Sequence, residues 1–508
     1  MAPSRRGFGS KSAGIGFSVG ISYLYILVNV AAGLVVTPWL TRSIGVGAYG
    51  VWTLVNSVVA FLSIDFGLNA ATARFVAKYL SERREDRLPS LMGVTLRLYL
   101  VLDGLLLVLL AGVWYWSERI FPALTADETE LLRMLLMIVG ASAVCMFPLS
   151  WLPGVFTGAG EIGTLRLIDI ALKLSVALGT VLALELHYGI LTVAVITAIC
   201  SLSAVVLRGL VLRSKGLLAF DFVAQRALWN ELLRYSAWTA AIVLAQRLLV
   251  SIVPSLLGAL SGARQVAIFG VGAMIEGYLW LLGTALTGVF LRPVSDLWLK
   301  RDLHSIDSLM IKVGRLQYFV FSAVILVFSL VGRDVLGWWL GPGFEGAHAC
   351  ALLLMVPTAF ALIHEVGLTA LVASGEVRYR AFCLLLAGLL SFPLVLFLAP
   401  QHGARGAAFA IAAGNSIFVA GGLLVVYRRV LGLGVRRFLL KVFVASLPAT
   451  AVSFAGMACI GAWLPGVSVT ALILKVGAMS CWHLGCAWVL GLSAAERGRV
   501  LQNLRSAT

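Results

Sequence analysis

Apolar runs long enough to cross a bilayer recur from residue 17 almost to residue 491. A run of about 18 or more such residues, coiled as a helix rising about 1.5 Å per residue, spans roughly 30 Å of hydrocarbon. The chain is 60% hydrophobic and only 12% charged, with mean hydropathy +0.99, so it lacks the charge to cover the surface of a soluble globule. The bilayer is therefore its solvent. Stretches such as residues 105–113 are apolar on every face, which fits helices and not the alternating pattern of an outer-membrane barrel. The expected fold class is an all-α polytopic membrane protein of about fourteen transmembrane helices. The spans are placed near residues 17–38, 49–72, 91–116, 131–155, 165–186, 188–212, 235–258, 266–291, 316–336, 349–373, 381–400, 405–427, 442–464 and 468–491.

Charge gives an independent test of this count, because cytoplasmic loops hold the excess of Lys and Arg. With the N-terminus placed in the cytoplasm, the inside segments hold 30 of the 39 basic residues. Outside loops keep Arg42, Arg119, Arg133, Arg264, Arg333 and Arg405. One missed or invented span would invert every later loop and destroy this alternation. Both ends are thus expected in the cytoplasm, with the chain in a bacterial inner membrane. Ser4-Arg5-Arg6-Gly7-Phe8 reads as a basic cytoplasmic anchor, since no small-residue cleavage site follows it. Orientation and contact with anionic membrane lipids account for the net charge of +16 without nucleic acid.

The seven cysteines all lie in apolar segments and form no CxxC or Cys/His cluster, so no metal and no cofactor is expected. Neither a large soluble insertion nor a GxxxxGK[ST] loop is present, which argues against an ATP-driven pump acting alone.

Internal repeats carry the most information about organisation. Ala159-Gly160-Glu161-Ile162 and Tyr188-Gly189-Ile190 are echoed by Ser374-Gly375-Glu376-Val377 and His402-Gly403-Ala404, with Tyr49-Gly50 fainter against Phe269-Gly270. The offset is close to six spans. Six is even, so the halves share one orientation, as a parallel repeat about an axis along the membrane normal. The expected domains are a cytoplasmic N-terminus 1–16, an N-lobe 17–212, an interlobe loop 213–234 and a C-lobe 235–427. A basic loop 428–441, two further spans over 442–491 and a tail 492–508 follow.

Thr37-Pro38-Trp39-Leu40-Thr41-Arg42, Gly45-Val46-Gly47-Ala48-Tyr49-Gly50-Val51-Trp52, Asp65-Phe66-Gly67-Leu68 with Arg74, and Pro400-Gln401-His402-Gly403-Ala404-Arg405-Gly406 form a recognisable set. With the span count and repeat, they resemble the polysaccharide flippases of the multidrug/oligosaccharidyl-lipid/polysaccharide exporter superfamily. The resemblance implies an inverted-V transporter. It would carry a polyprenyl-diphosphate-linked oligosaccharide from the cytoplasmic to the outer leaflet for exopolysaccharide, capsule or O-antigen synthesis. Polysaccharide polymerase and glycosyltransferases are the implied partners. Related sequences commonly have an acidic residue in span 7 where this chain reads Gln246-Arg247-Leu248, so a role for that acid does not carry over.

Charges inside hydrocarbon each need a reason, at a cost of about 2.5–3.5 kcal/mol at a helix centre. Arg247, in the middle of span 7, suits bidentate recognition of a diphosphate; a pair with Glu276 is the compatible alternative. Arg42, Arg74 and Arg292, at span ends, read either as substrate-binding residues, by headgroup or diphosphate capture at the cavity mouths, or as interfacial anchors. His364 and Glu365 in span 10, with Asp65 near the end of span 2, are candidates for ion coupling or for packed polar contacts. Asp169 and Lys173, spaced i,i+4, are expected to neutralise each other. Lys475 is expected to snorkel outward, Asp103 has no partner legible in sequence, and His483 reads as structural. Trp114, Trp116, Trp151, Trp338, Trp339 and Trp463 read as interfacial belts.

Beside the flippase, two other transport readings stand: a cation-coupled exporter of drugs or metabolites, and a flippase for the peptidoglycan precursor. A membrane glycan polymerase is a third class, opposed by the short outer loops. The chain is expected not to be an enzyme.

Overall fold

In the computed structural model the described residues are 11–221, 228–229, 232, 240, 242–284, 287–464, 466 and 468–491. They are helical with no strand among them. Twelve helices are long and apolar enough to cross a membrane. Two of these are too long for one crossing: Gly20–Leu62 has 43 residues and Arg378–Arg429 has 52, where about 20 suffice. Each contains one non-helical glycine, Gly45 (φ 80, ψ 169) and Gly403 (φ 54, ψ −135). Divided there, they supply the two further crossings of the expected fourteen.

Gly45 has a counterpart that makes its role plain. Gly262, between the first two helices of the second half, adopts φ 81 and ψ 173, nearly the same angles. Only glycine occupies that region without a severe backbone clash. Both halves therefore turn from their first span into their second through one glycine in one conformation. The repeat recurs where it was legible in sequence: Gly160 (φ 77) and Gly375 (φ 80) precede Glu161 and Glu376, and Tyr49 and Phe269 are both buried.

The main helices are α1 (Lys11–Leu62), α2 (Leu68–Ser81), α3 (Leu88–Tyr115), α4 (Ala126–Gly158), α5 (Ile162–Glu185), α6 (Ile190–Ser214) and α7 (Ile242–Ser261). They continue with α8 (Ala263–Thr284), α9 (Thr287–Leu299), α10 (Leu303–Leu340), α11 (Glu345–Ile363), α12 (Glu365–Ala373) and α13 (Arg378–Arg429). The last are α14 (Val435–Val442), α15 (Leu447–Trp463) and α16 (Val469–Cys486). By contacts the chain forms two compact units, Met1–Arg247 and Leu248–Thr508.

In the first unit α1 packs along α5, α5 on α6, and α2 on the end of α4. Gly154 and Gly158 of α4 lie directly against the backbone of Asn69 and Ala73, so any side chain there would collide with α2. Small residues one turn apart let two membrane helices approach closely. The expected span 49–72 is interrupted. Residues 63–67 leave the helix, with Phe66 at φ 48 and Gly67 at φ 77, because the Asp65 carboxylate accepts from the Gly67 and Asn69 amides and restarts the chain as α2.

In the second unit Leu362, Ile363, Val366, Tyr427 and Phe438 belong to one core that joins α10 to α14. The α15–α16 pair attaches along α10 through Val331, Met457 and Met479. His483 of α16 bonds Ser453, Ser322 and the Phe319 carbonyl, which ties α15, α16 and α10 together as a structural residue should. Trp151 departs from the expected belt: it is wholly buried and donates to the Pro148 carbonyl, whereas Trp463 is 86% exposed as an anchor would be. The cysteines divide similarly. Cys350, Cys383 and Cys486 are buried, while Cys145, Cys459 and Cys481 are exposed.

Candidate functional site

Three charged side chains of the first unit lie on one face of α5. Residues 166, 169 and 173 fall within about 60° of one another at about 100° per residue. Asp169 is held on both sides, by Arg166 Nη1 at 3.1 Å and by Arg208 Nη2 of α6 at 2.7 Å. The Arg166 guanidinium also lies 4.8 Å from the ring of Tyr25 on α1, and Asn29 donates to the Tyr25 hydroxyl. Three helices thus converge on one carboxylate. The expected Asp169–Lys173 pair is not formed. The α5–α6 packing brings Arg208 onto Asp169, and Arg166 reaches it from one turn earlier, so both carboxylate oxygens are taken.

Lys173 is left half-buried, without a hydrogen bond or ion pair among the described residues, about 16 Å along α5 from Ile162. The Nε atoms of Arg166 and Arg208 are buried and also have no partner among the described residues. One carboxylate is thus shared by two guanidinium groups with unused Nε donors, and Lys173 stands one turn further along the same face. A buried donor without a partner costs about 1–3 kcal/mol, and an anion entering between these helices would relieve it.

Arg247 begins a π-helical turn, Arg247–Ser251, inside α7 and is half-buried and engaged. π-Turns within α-helices are frequent at functional sites. Glu276 of α8 accepts a 2.7 Å bond from Thr358 of α11. Arg42 and Arg74 are exposed and both engaged. Arg292 lies in α9, and its side chain falls outside the described residues. Asp65, besides capping α2, accepts from the Tyr99 hydroxyl at 3.2 Å.

His364 and Glu365 stand where α11 gives way to α12. His364 is buried, its Nδ1 is 3.2 Å from the Tyr427 hydroxyl, and its Nε2 has no partner among the described residues. Gly367 lies under the Tyr427 ring, leaving no room for a side chain. Lys475 is buried, and its ammonium reaches back past the start of α16 to donate to the Gly466 carbonyl of the α15–α16 loop at 2.9 Å, the direction expected of it. The Asp103 Oδ1 is buried and unbonded among the described residues.

A separate cavity of about 910 Å³ lies at the Gly403 break, lined by Ser261, Gln265, Gln401, His402, Arg405 and Phe409 among others. Gln265 accepts from the Ala404 amide there, and Ser261 donates to the Ala399 carbonyl. Among the described residues no group of three or more His, Cys, Asp or Glu is placed to hold a metal.

The helix order, the glycine-linked repeat and the intramembrane cations define a multi-pass membrane transporter fold. Residues 17–289 match the family model described as polysaccharide biosynthesis protein, and the chain belongs to that family. Its fold is similar to that of a lipid II flippase, MurJ, in an inward closed conformation. The TM-score is 0.72 at 12% identity, over 94% of this chain and 98% of that one. It is also similar to an inward-facing multidrug resistance MATE family transporter of the MOP superfamily, at TM-score 0.65 and 15% identity, over 81% and 96% of the two chains. A eukaryotic MATE transporter, AtDTX14, gives TM-score 0.60 at 16% identity, over 84% and 97%. Comparison of the sequence with curated proteins finds no match.

Arg166 and Arg208 were legible as basic residues but were counted with the cytoplasmic loops. The 166–169–173 spacing was the available signal for a shared face. Nothing in the sequence pointed to Tyr25, Arg208 or Tyr427 as partners, because each contact depends on the register of two helices distant in the chain.

Proposed function

We propose that the protein flips a polyprenyl-diphosphate-linked oligosaccharide from the cytoplasmic to the outer leaflet of a bacterial inner membrane, by alternating access, for surface polysaccharide synthesis. The observation that carries this reading is the excess positive charge within the first unit: Arg166 and Arg208 share the single carboxylate of Asp169, and Lys173 lies on the same face of α5 with no ion pair among the described residues. In hydrocarbon such an excess is costly unless an anionic ligand offsets it. A diphosphate does so, and guanidinium groups bind it in a bidentate fashion. A cationic drug would be repelled at the same place. Membership of the polysaccharide biosynthesis family supports a saccharide as the remainder of the substrate.

Arg247 serves in this reading as a second diphosphate contact, its π-turn allowing the side chain to shift. Arg42, Arg74 and Arg292 capture headgroups at the two membrane faces. Glu276, His364, Glu365 and Asp65 hold helices in place, and any ion coupling runs through them. Polymerase and glycosyltransferases act after and before this step.

The test is protein-dependent flipping in proteoliposomes, read by the accessibility of the glycan to an external lectin. Lectin-accessible glycan should rise in vesicles containing the protein and fall sharply with Arg247→Ala. Equal signals in protein-containing and empty vesicles, across several diphosphate-linked glycans, would overturn the proposal.

A further inference from the structure

The second unit contains a basic cavity far along the chain from Arg247 and from the α5 cluster. It has a volume of about 580 Å³ and is lined by Arg428, Arg436, Arg437 and Lys441 with Asp307 as its acidic residue. Four cations face one carboxylate, and that carboxylate is already committed. Both oxygens of Asp307 accept from the Gly434 amide, at 2.8 and 3.0 Å. This pins the turn between α13 and α14, and a side chain at position 434 would collide with Asp307. The opposite face of α14 is fixed to the core. Val435, Phe438 and Val442 are buried, with Phe438 lying against Gly314 and the Ile363 carbonyl region. Arg315 further ties α10 to the Lys441 carbonyl at 3.3 Å. The backbone that carries these exposed cations is therefore fixed before any ligand arrives, which lowers the ordering cost of binding.

The apolar surface beside the cavity says what kind of anion fits. Leu440, Val444 and Leu447 follow at i, i+4 and i+7 and are 49%, 53% and 56% exposed. Together they make an apolar stripe running from Arg437 and Lys441 into α15. A free phosphate uses only the cations, whereas a phospholipid uses both surfaces: its headgroup phosphate on the arginines, an acyl chain along the stripe. We propose that this cavity is a specific site for an anionic phospholipid of the leaflet into which the basic loops project. General attraction of basic loops to an anionic surface needs neither the pinned turn nor the stripe.

The purified full chain in detergent would be titrated with dihexanoyl-phosphatidylglycerol, dihexanoyl-phosphatidylcholine and inorganic pyrophosphate at matched ionic strength, following the thermal midpoint. Phosphatidylglycerol should raise the midpoint saturably and phosphatidylcholine should not, while any rise with pyrophosphate, which the α5 cluster would also bind, should not depend on the cavity arginines. Arg436→Gln with Arg437→Gln should weaken that binding at least tenfold, and Arg428→Gln alone should weaken it independently. Arg84→Gln with Arg87→Gln, which removes two exposed basic residues elsewhere, should leave it unchanged. Equal loss in the two double variants would reduce the effect to non-specific charge and overturn the site. Pyrophosphate matching phosphatidylglycerol, and losing its effect in the Arg436→Gln with Arg437→Gln variant, would overturn the lipid as its ligand.

Discussion

Lys173→Met keeps most of the side chain's apolar length and removes its ammonium group. Lys173 has no hydrogen bond or ion pair among the described residues and lies about halfway along the 24 residues of α5. Removing the ammonium therefore breaks no polar contact among the described residues. An ammonium at that depth costs about 2.5–3.5 kcal/mol to keep in the membrane, less whatever its partial exposure recovers, so the variant's thermal midpoint should hold or rise. Transport should move the other way. A hydrogen bond between a cation and a phosphate oxygen contributes about 1.5–3 kcal/mol, which is about a 10- to 150-fold loss of apparent affinity for a diphosphate lipid. The assay is initial flipping rate against substrate density in proteoliposomes, paired with a thermal melt of the same preparation. A variant with unchanged half-saturation would refute the assignment of Lys173 to the substrate. One that melts lower would show that the lysine holds the fold together.

Asp169→Asn leaves Arg166 and Arg208 facing each other without their shared carboxylate and should lower stability by about 2 kcal/mol, reduced from the fully buried case because the Arg166 side chain is 36% exposed. Adding Arg208→Gln should recover part of that loss, and a double-mutant cycle on thermal midpoints measures the coupling. Gly45→Ala should destabilise by about 1–3 kcal/mol through its backbone angles alone, while Gly20→Ala, in open space within a helix, should stabilise by about 0.5–1 kcal/mol; paired thermal melts decide both. Burial tends to raise the Glu161 carboxyl, but the Lys215 ammonium at 2.6 Å and the Thr164 hydroxyl at 2.8 Å hold it below the ordinary value of 4.5. Its contribution is thus present above about pH 4.5 and fades as pH falls through the lowered value, so Glu161→Gln should flatten stability measured across that acid range.

Much of the architecture was legible in the sequence because each span must satisfy its own backbone hydrogen bonds, which makes long apolar runs nearly unambiguous. The Gly160-Glu161 and Gly375-Glu376 echo marked the repeat because both sites need the same backbone conformation. Interruptions inside spans were harder to see. Asp65 was legible as a charge near the end of a span but not as the carboxylate around which the helix breaks at Phe66-Gly67, and the break at His364 shows only in the geometry around Tyr427. For the candidate site, the residue types were visible but their pairing was not. Asp169 and Lys173 have ideal helical spacing, yet Arg208, 39 positions away, occupies the carboxylate once α6 docks on α5. A local spacing rule cannot anticipate a competitor supplied by tertiary packing.

The most direct measurement of the central claim is a side-by-side transport assay in sealed proteoliposomes, with a polyprenyl-diphosphate oligosaccharide in one set and a cationic dye in the other. Flipping of the glycan lipid, with no protein-dependent movement of the dye, is the predicted result. Protein-dependent efflux of the dye with no movement of the glycan lipid would contradict it and make the protein an exporter of small cations.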